Sequence, residues 1–258
     1  MAHAISIIGL DTLDLIQAGD NLPKIIVDAA KSEGVDLLDN DVIVVSQKII
    51  SKSEGELVDI STIKPSAKAR AIAKRTKKDP RLVQLILRDS AQILRASRGV
   101  LIVKRKDGII CLNAGVDKSN VRGSTIYTRL PTNADRSAQK LRIDIEALSG
   151  KKIAVIVADT YSRPIRVGQV EFAIGIAGME PIVDYRGEED LFGYELKFKY
   201  VALADEIAAA AELVMGQGTE RIPVVIMRGL SRLHRTEQAD LAKRLSLGRQ
   251  RDLFNRLL

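Results

Sequence analysis

The chain has 258 residues, 46% of them hydrophobic and 28% charged, which is enough for one large domain or two modest ones and excludes a disordered polymer. Forty Lys and Arg against 33 Asp and Glu leave a net charge of +7, pointing to anionic partners, while the absence of Trp argues against aromatic platforms for single-stranded nucleic acid. One cysteine, Cys111, excludes a disulfide framework and a Cys-cluster zinc site, and no apolar run approaches the ~20 residues of a membrane helix.

The opening stretch, MAHAISIIGLDTLDLI, has no basic n-region and meets Asp11 and Asp14, so a cytoplasmic protein without membrane partners is expected. Leu22–Ser32 has helical apolar spacing and stops near Gly34. Asp41–Ile50 (DVIVVSQKII) is β-branched and reads as a buried strand. Ser66–Thr76 reads as a helix, and Asp79-Pro80 opens another that runs to about Leu94. Val100–Lys104 and Ile109–Leu112 flank Lys106-Asp107-Gly108, a hairpin signal. Asn113–Gly123 is a polar loop, and Ser137–Leu148 a helix ending at Gly150. Ile153–Ala158 (IAVIVA), Gln169–Ala177, Glu195–Leu203 and Pro223–Met227 read as strands, and Asp205–Met215 as a helix closed by Gly216. His234–Leu258 is expected to be a basic helical tail packing Leu241, Leu245, Leu247 and Leu253 inward. The alternation defines a mixed α/β (α+β) class with mixed sheets flanked by helices. A single domain over 1–258 is expected, with the region of about 64–133 as a candidate smaller lobe.

The chain has no GxxxxGK[ST], no GxGxxG after a strand and no HExxH. His3 and His234 stand near the chain's extremities, so Ser-His-Asp and Cys-His machinery is not expected. Carboxylates, basic groups and metal remain, an inventory that suits phosphoryl chemistry. Four polar clusters are candidates, each with an ordinary alternative. Ser46-Gln47-Lys48 with Ser51-Lys52 follows a strand, where Lys52 could meet a phosphate or be a solvated lysine. Asn113–Asn120 offers Asp117 and Asn120 as oxygen and amide groups, or forms an Asx-type turn. Asp159-Thr160, directly after IAVIVA, supplies oxygen ligands for Mg²⁺ or Mn²⁺, or a turn cap; Arg163 and Arg166 could clamp anions or form surface ion pairs. Met215–Pro223 contains Gly216-Gln217-Gly218, whose amides could approach an anion, or serve as a helix C-cap.

In order, LDLIQAGDNL (Leu13–Leu22), ISKSEG (Ile50–Gly55), NAGVDKSNV (Asn113–Val121), VADTYSRPIRVGQVEFAIGIAG (Val157–Gly178), DYRGEEDLFGYEL (Asp184–Leu196), ADEIAAAAELVMGQG (Ala204–Gly218) and IPVVIMRGL (Ile222–Leu230) resemble the coenzyme F420-0:L-glutamate ligase family. The resemblance implies an unusual α/β fold in an intertwined homodimer, and a GTP-dependent ligase of coenzyme F420 biosynthesis. Its substrates would be GTP, coenzyme F420-0 and L-glutamate, with an acyl-phosphate intermediate and a second, γ-linked glutamate. It implies two divalent ions per site, Mg²⁺ or Mn²⁺, and a monovalent cation such as K⁺. Carried over by motif, Asp117 and Asp159 would hold one metal and Thr160 and Gln217 would help hold a second, with Asp117, Asp159 and Lys52 in catalytic roles. GTP would meet Leu13, Asp14, Leu15, Ile16, Gln47, Lys48, Lys52, Asn120, Met215, Gly216, Gln217, Gly218, Thr219, Glu220, Arg221 and Ile222. Arg163, Arg166, Asp184, Arg186 and Asp190 are candidates for the other substrates. Tyr161-Ser162 and Glu171 depart from the family's usual residues, Glu171 standing where glycine is common. These departures motivate the alternative of a related amide ligase acting on a different carboxylate. A nucleic-acid binder is a distant third, since base-reading motifs are lacking.

Overall fold

The computed structural model describes residues 3–162 and 166–246. In chain order the elements are β1 (Ser6–Leu10), α1 (Leu22–Ser32), β2 (Val42–Ser46), α2 (Gln47–Ser53), β3 (Leu57–Asp59), α3 (Ala67–Thr76), α4 (Pro80–Asp89), β4 (Ser90–Ser97), β5 (Val100–Arg105), β6 (Ile110–Leu112), β7 (Ile126–Thr128), α5 (Ala134–Ser149), β8 (Ala154–Ser162), β9 (Gln169–Ala177), β10 (Val183–Asp184), β11 (Tyr200–Val201), α6 (Leu203–Met215) and β12 (Val224–Arg228). This is the mixed α/β class expected. The described residues divide into two compact units, one of residues 3–16, 20–50, 133–162 and 166–245, the other of 17–19, 51–132 and 246.

The first unit is built on a five-stranded sheet in the order β1-β12-β2-β8-β9. β2 and β8 run parallel, and the other pairs are antiparallel. VIVV of β2 and AVIVA of β8 are buried throughout, the pattern of strands covered on both faces. Met179, Ala204, Ile207, Ala208 and Ala211 close over this sheet, and Leu241 joins them fully buried. Two contacts explain sequence motifs here. A Cβ on Gly175 would lie 2.3 Å from the Ala134 carbonyl oxygen, so only glycine lets α5 start against β9. Asp135 and Asp205 reach from the first turns of α5 and α6 to accept from the Ile176 and Ala173 amides at 2.8 and 3.0 Å. Burial pushes both carboxyls up, against the pull of these bonds.

The second unit contains the β4-β5-β6 sheet, the β3-β7 pair, α3 and α4. Its core gathers Ile60, Val83, Leu85, Ile86, Leu101, Val103 and Val116. Asp79 caps α4 as expected, accepting from the Arg81 amide, and Ser66 caps α3, accepting from the Ala69 amide.

Several expected boundaries are corrected. DVIVVSQKII is not one strand: β2 stops at Ser46 and α2 begins at Gln47, with Ile49 and Ile50 buried on the helix. A continuous apolar run does not distinguish the two states. The helix from Pro80 ends at Asp89 rather than near Leu94, because Ser90–Ser97 pairs with β5 and tertiary pairing overrides helical propensity. Of Glu195–Leu203, only Tyr200–Val201 is strand, paired to Val183–Asp184. The basic tail is not helical from His234: the described part holds only a short 3₁₀ turn, Ala242–Leu245, and residues 247–258, with Leu247 and Leu253, lie outside the described residues.

Candidate active site

β2 accompanies β8 only to the Ser46–Ala158 pair, whereas β8 and β9 continue together to Ser162–Gln169. Asp159 and Thr160 therefore stand within a two-stranded extension, not at a strand's end as expected. The apolar run stops where the covering of the sheet stops, but the ladder does not. Strand alternation puts Thr160 beside its cross-strand partner Glu171 on one face. Asp159 and Tyr161 belong to the other face, where the Tyr161 ring stacks on Phe172 at 4.8 Å.

The Thr160 face meets the end of α6. Thr160 Oγ1 lies 2.9 Å from Glu171 Oε1 and 2.9 Å from Gln217 Oε1. Gln217 Nε2 donates to Glu171 Oε1 and to Glu212 Oε1, both at 2.8 Å, which fixes which end of the amide faces the hydroxyl. Glu212 Oε2 also accepts from the Glu171 backbone amide at 3.0 Å. Glu171 is only 4% exposed. Burial pushes its carboxyl up and the Glu212 charge adds to that, against the bonds from Gln217 and Thr160 and the charge of Lys48. Glu171 and Glu212 are not among the sequence-predicted site residues; Glu171 is marked in the sequence only as a departure from the family pattern.

The loop after α6 accepts an anion. Gly218 N donates to Glu220 Oε2 at 2.7 Å, and a Cβ on Gly216 would lie 2.3 Å from Glu220 Cδ. The ordinary C-cap is present as well, from Gly216 N to the Glu212 carbonyl at 2.9 Å. Met215 is buried, Thr219, Glu220 and Arg221 are exposed, and Ile222 is half-buried. Leu13 and Ile16 are buried while Asp14 and Leu15 are exposed, on the stretch between β1 and α1. Gln47, buried, and Lys48, half-buried, open α2.

Asp117, Asn120 and Lys52 belong to the second unit. Asp117 forms the Asx-type turn: Oδ1 accepts from the Lys118 and Ser119 amides at 2.6 and 3.1 Å, and Oδ2 accepts from the Ser119 hydroxyl. Its backbone pairs with Thr128 at 2.9 and 3.1 Å. Asn113, Ala114 and Gly115 all have positive φ, with buried Ala114 giving its carbonyl to Arg105 at 2.9 Å. A Cβ on Gly115 would lie 2.4 Å from Leu130 Cγ.

Among the substrate candidates, Asp184 and Arg186 pair with each other (Nε to Oδ1, 2.8 Å), which holds Asp184 down at about 2. Asp190 caps the Phe192 and Tyr194 amides at 2.8 and 3.0 Å. Arg166 is exposed, and Arg163 lies outside the described residues. Among the described residues no three His, Cys, Asp or Glu side chains form a ready metal cage, so a bound ion would draw on hydroxyl and amide oxygens too.

Hard oxygen donors thus stand beside a loop whose amide takes a carboxylate. A family model described as F420-0:Gamma-glutamyl ligase matches residues 11–229, and the chain belongs to that family. It is 45% identical over 225 residues to the coenzyme F420:L-glutamate ligase of Methanothermobacter thermautotrophicus, covering 87% of this chain and 89% of that one. It is 43% identical over 228 residues to the enzyme of that name from Methanocaldococcus jannaschii, covering 87% and 88%. With the Archaeoglobus fulgidus enzyme of the same name it shares 39% over 248 residues, 93% of this chain and 97% of that one. The protein is a ligase. Among the described residues no helix is long and apolar enough to cross a membrane.

Proposed function

We propose that the protein joins L-glutamate to coenzyme F420-0 with GTP as the phosphoryl donor, in coenzyme F420 biosynthesis. The observation that carries this is the family match over residues 11–229, with relatives named coenzyme F420:L-glutamate ligase over most of their length. An acceptor carboxylate oxygen attacks the γ-phosphorus, the bond to the β-phosphate oxygen breaks, and GDP leaves. The glutamate α-amine then attacks the acyl carbon, loses a proton, and expels phosphate to leave the amide. A second glutamate adds in the same way through a γ-linkage.

Asp117 and Asp159 are the proposed carboxylate ligands to divalent metal, and Thr160 and Gln217 the neutral ones. Mg²⁺ or Mn²⁺, two per site, would supply charge neutralisation there when bound, with K⁺ as an accessory ion. The anion-accepting amide of Gly218 supports nucleotide binding by Met215–Ile222. On arrival of a phosphate the Glu220 carboxylate would have to give up that amide. Leu13–Ile16, Gln47, Lys48, Lys52 and Asn120 complete the proposed GTP contacts, with Lys52 as a catalytic cation. Arg163, Arg166, Asp184, Arg186 and Asp190 are proposed for the remaining substrates. A homodimer is supported by apolar side chains between β10 and β11, where Leu191, Phe192 and Phe198 are 97%, 95% and 86% exposed.

Mass spectrometry of reactions with F420-0, GTP, L-glutamate and Mn²⁺ tests the reading. A glutamylated product and GDP should appear together, and neither should appear when any one component is omitted. Glutamylation of another carboxylate in preference to F420-0 would overturn the assigned acceptor. No product with any acceptor would overturn the reaction.

A further inference from the structure

We infer that Glu171 is a further ligand for divalent metal, joining Thr160 and Gln217 through its buried carboxylate. The inference rests on the metal reading above and adds to it a residue from β9. It starts from proton counting. The Thr160 hydroxyl has one proton, yet faces two acceptors at 2.9 Å, Glu171 Oε1 and Gln217 Oε1. Gln217 cannot relieve this by turning its amide, because both Nε2 protons go to carboxylates, those of Glu171 and Glu212. Three oxygens thus converge with a single hydroxyl proton among them, and the other donor to them is the Gln217 amide group, on Glu171 Oε1, which leaves Gln217 Oε1 and Glu171 Oε1 competing for that one hydroxyl proton.

The second observation is independent. Glu171 is more than nine-tenths buried, and its other oxygen, Oε2, has no hydrogen-bond partner among the described residues. Leaving a buried carboxylate oxygen without a donor is costly, and the neighbouring Glu212 adds like charge. A hydroxyl, an amide oxygen and a carboxylate are the hard donors that Mg²⁺ and Mn²⁺ take, and a cation there would answer both the surplus of acceptors and the bare oxygen. The local residues fit the ion, and Glu171 brings the charge that Thr160 and Gln217 lack.

The test is Mn²⁺ binding to the full-length protein, read from the free-ion electron paramagnetic resonance signal without nucleotide. Glu171→Gln keeps the volume and removes the charge; Glu171→Asp keeps the charge on a shorter arm. Glu171→Gln should weaken Mn²⁺ binding about tenfold or more, with its urea midpoint not lowered, and Glu171→Asp should restore part of the affinity. If Thr160→Val and Asp159→Asn weaken binding while Glu171→Gln binds as wild type does, the role of Glu171 is wrong and the wider metal reading survives. If wild type takes up no Mn²⁺, or no variant changes the binding, both fall.

Discussion

Two carboxylates in this chain are handled in opposite ways. Asp117 sits in a loop of the second unit, and both its oxygens accept from residues one and two positions ahead. Glu171 sits in a strand of the first unit, bonds to residues 11 and 46 positions away, and has one oxygen without a partner among the described residues. A carboxylate satisfied by its own turn is shaped before any ligand arrives. One held by distant side chains and short of donors depends on what the tertiary fold brings to it. Preorganisation and incompleteness can thus both mark a functional carboxylate, and only the first is written locally in the sequence.

Isosteric substitutions break the comparison most sharply. Asp159→Asn should lower turnover by about a thousandfold, near 4 kcal/mol of barrier, with an unchanged urea midpoint. Asp117→Asn should lose activity comparably, yet keep its turn, because an asparagine Oδ1 accepts the same amide bonds. A fall in its unfolding midpoint with activity retained would make Asp117 a structural residue only.

The two units should also differ in how they tolerate a methyl group. Gly175→Ala drives a Cβ into the Ala134 backbone, 2.3 Å from its oxygen, and should cost about 3 kcal/mol or prevent folding. Gly115→Ala strains a backbone at φ 71° and meets only the Leu130 side chain, so a loss of about 1–2 kcal/mol is expected. Urea titrations that rank the two the other way would show that Leu130 cannot move.

The smallest effect concerns pH. Burial raises the Asp205 carboxyl above its ordinary 3.8, so the native state holds that proton more tightly than the unfolded chain does. Its contribution to stability is full below that ordinary value and is lost as pH rises through the raised one. Asp205→Asn keeps an acceptor for the Ala173 amide and removes the titration. The variant should gain on wild type by under about 1 kcal/mol between pH 3.5 and 7, after allowance for solvent screening. Parallel stability curves would contradict the assignment.

What the sequence made legible follows the same division. The helix α4 begins where the Asp79-Pro80 cap signal puts it, and α1 and α3 begin at or next to the start of their helical stretches, capped by Asn21 and Ser66. The Asx turn at Asp117, read as an alternative, is there because its partners are one and two residues away. Pairing partners are not written locally, so the start of β4 lies where the sequence pattern predicts the end of a helix, and short strands such as β1, β3 and β7 carry no recognisable signal. The Thr160–Glu171–Gln217 cluster spans 57 residues and rests on cross-strand register plus the packing of α6 on β9. The motif marked Thr160 and Gln217; only the folded chain puts Glu171 between them.

The central claim is that a carboxyl group is activated by phosphoryl transfer before the amine attacks. Acceptor F420-0 labelled with ¹⁸O in both oxygens of its terminal carboxylate tests this directly. One label should appear in the inorganic phosphate and the other should remain in the product amide. Unlabelled phosphate formed alongside glutamylated product would contradict the account.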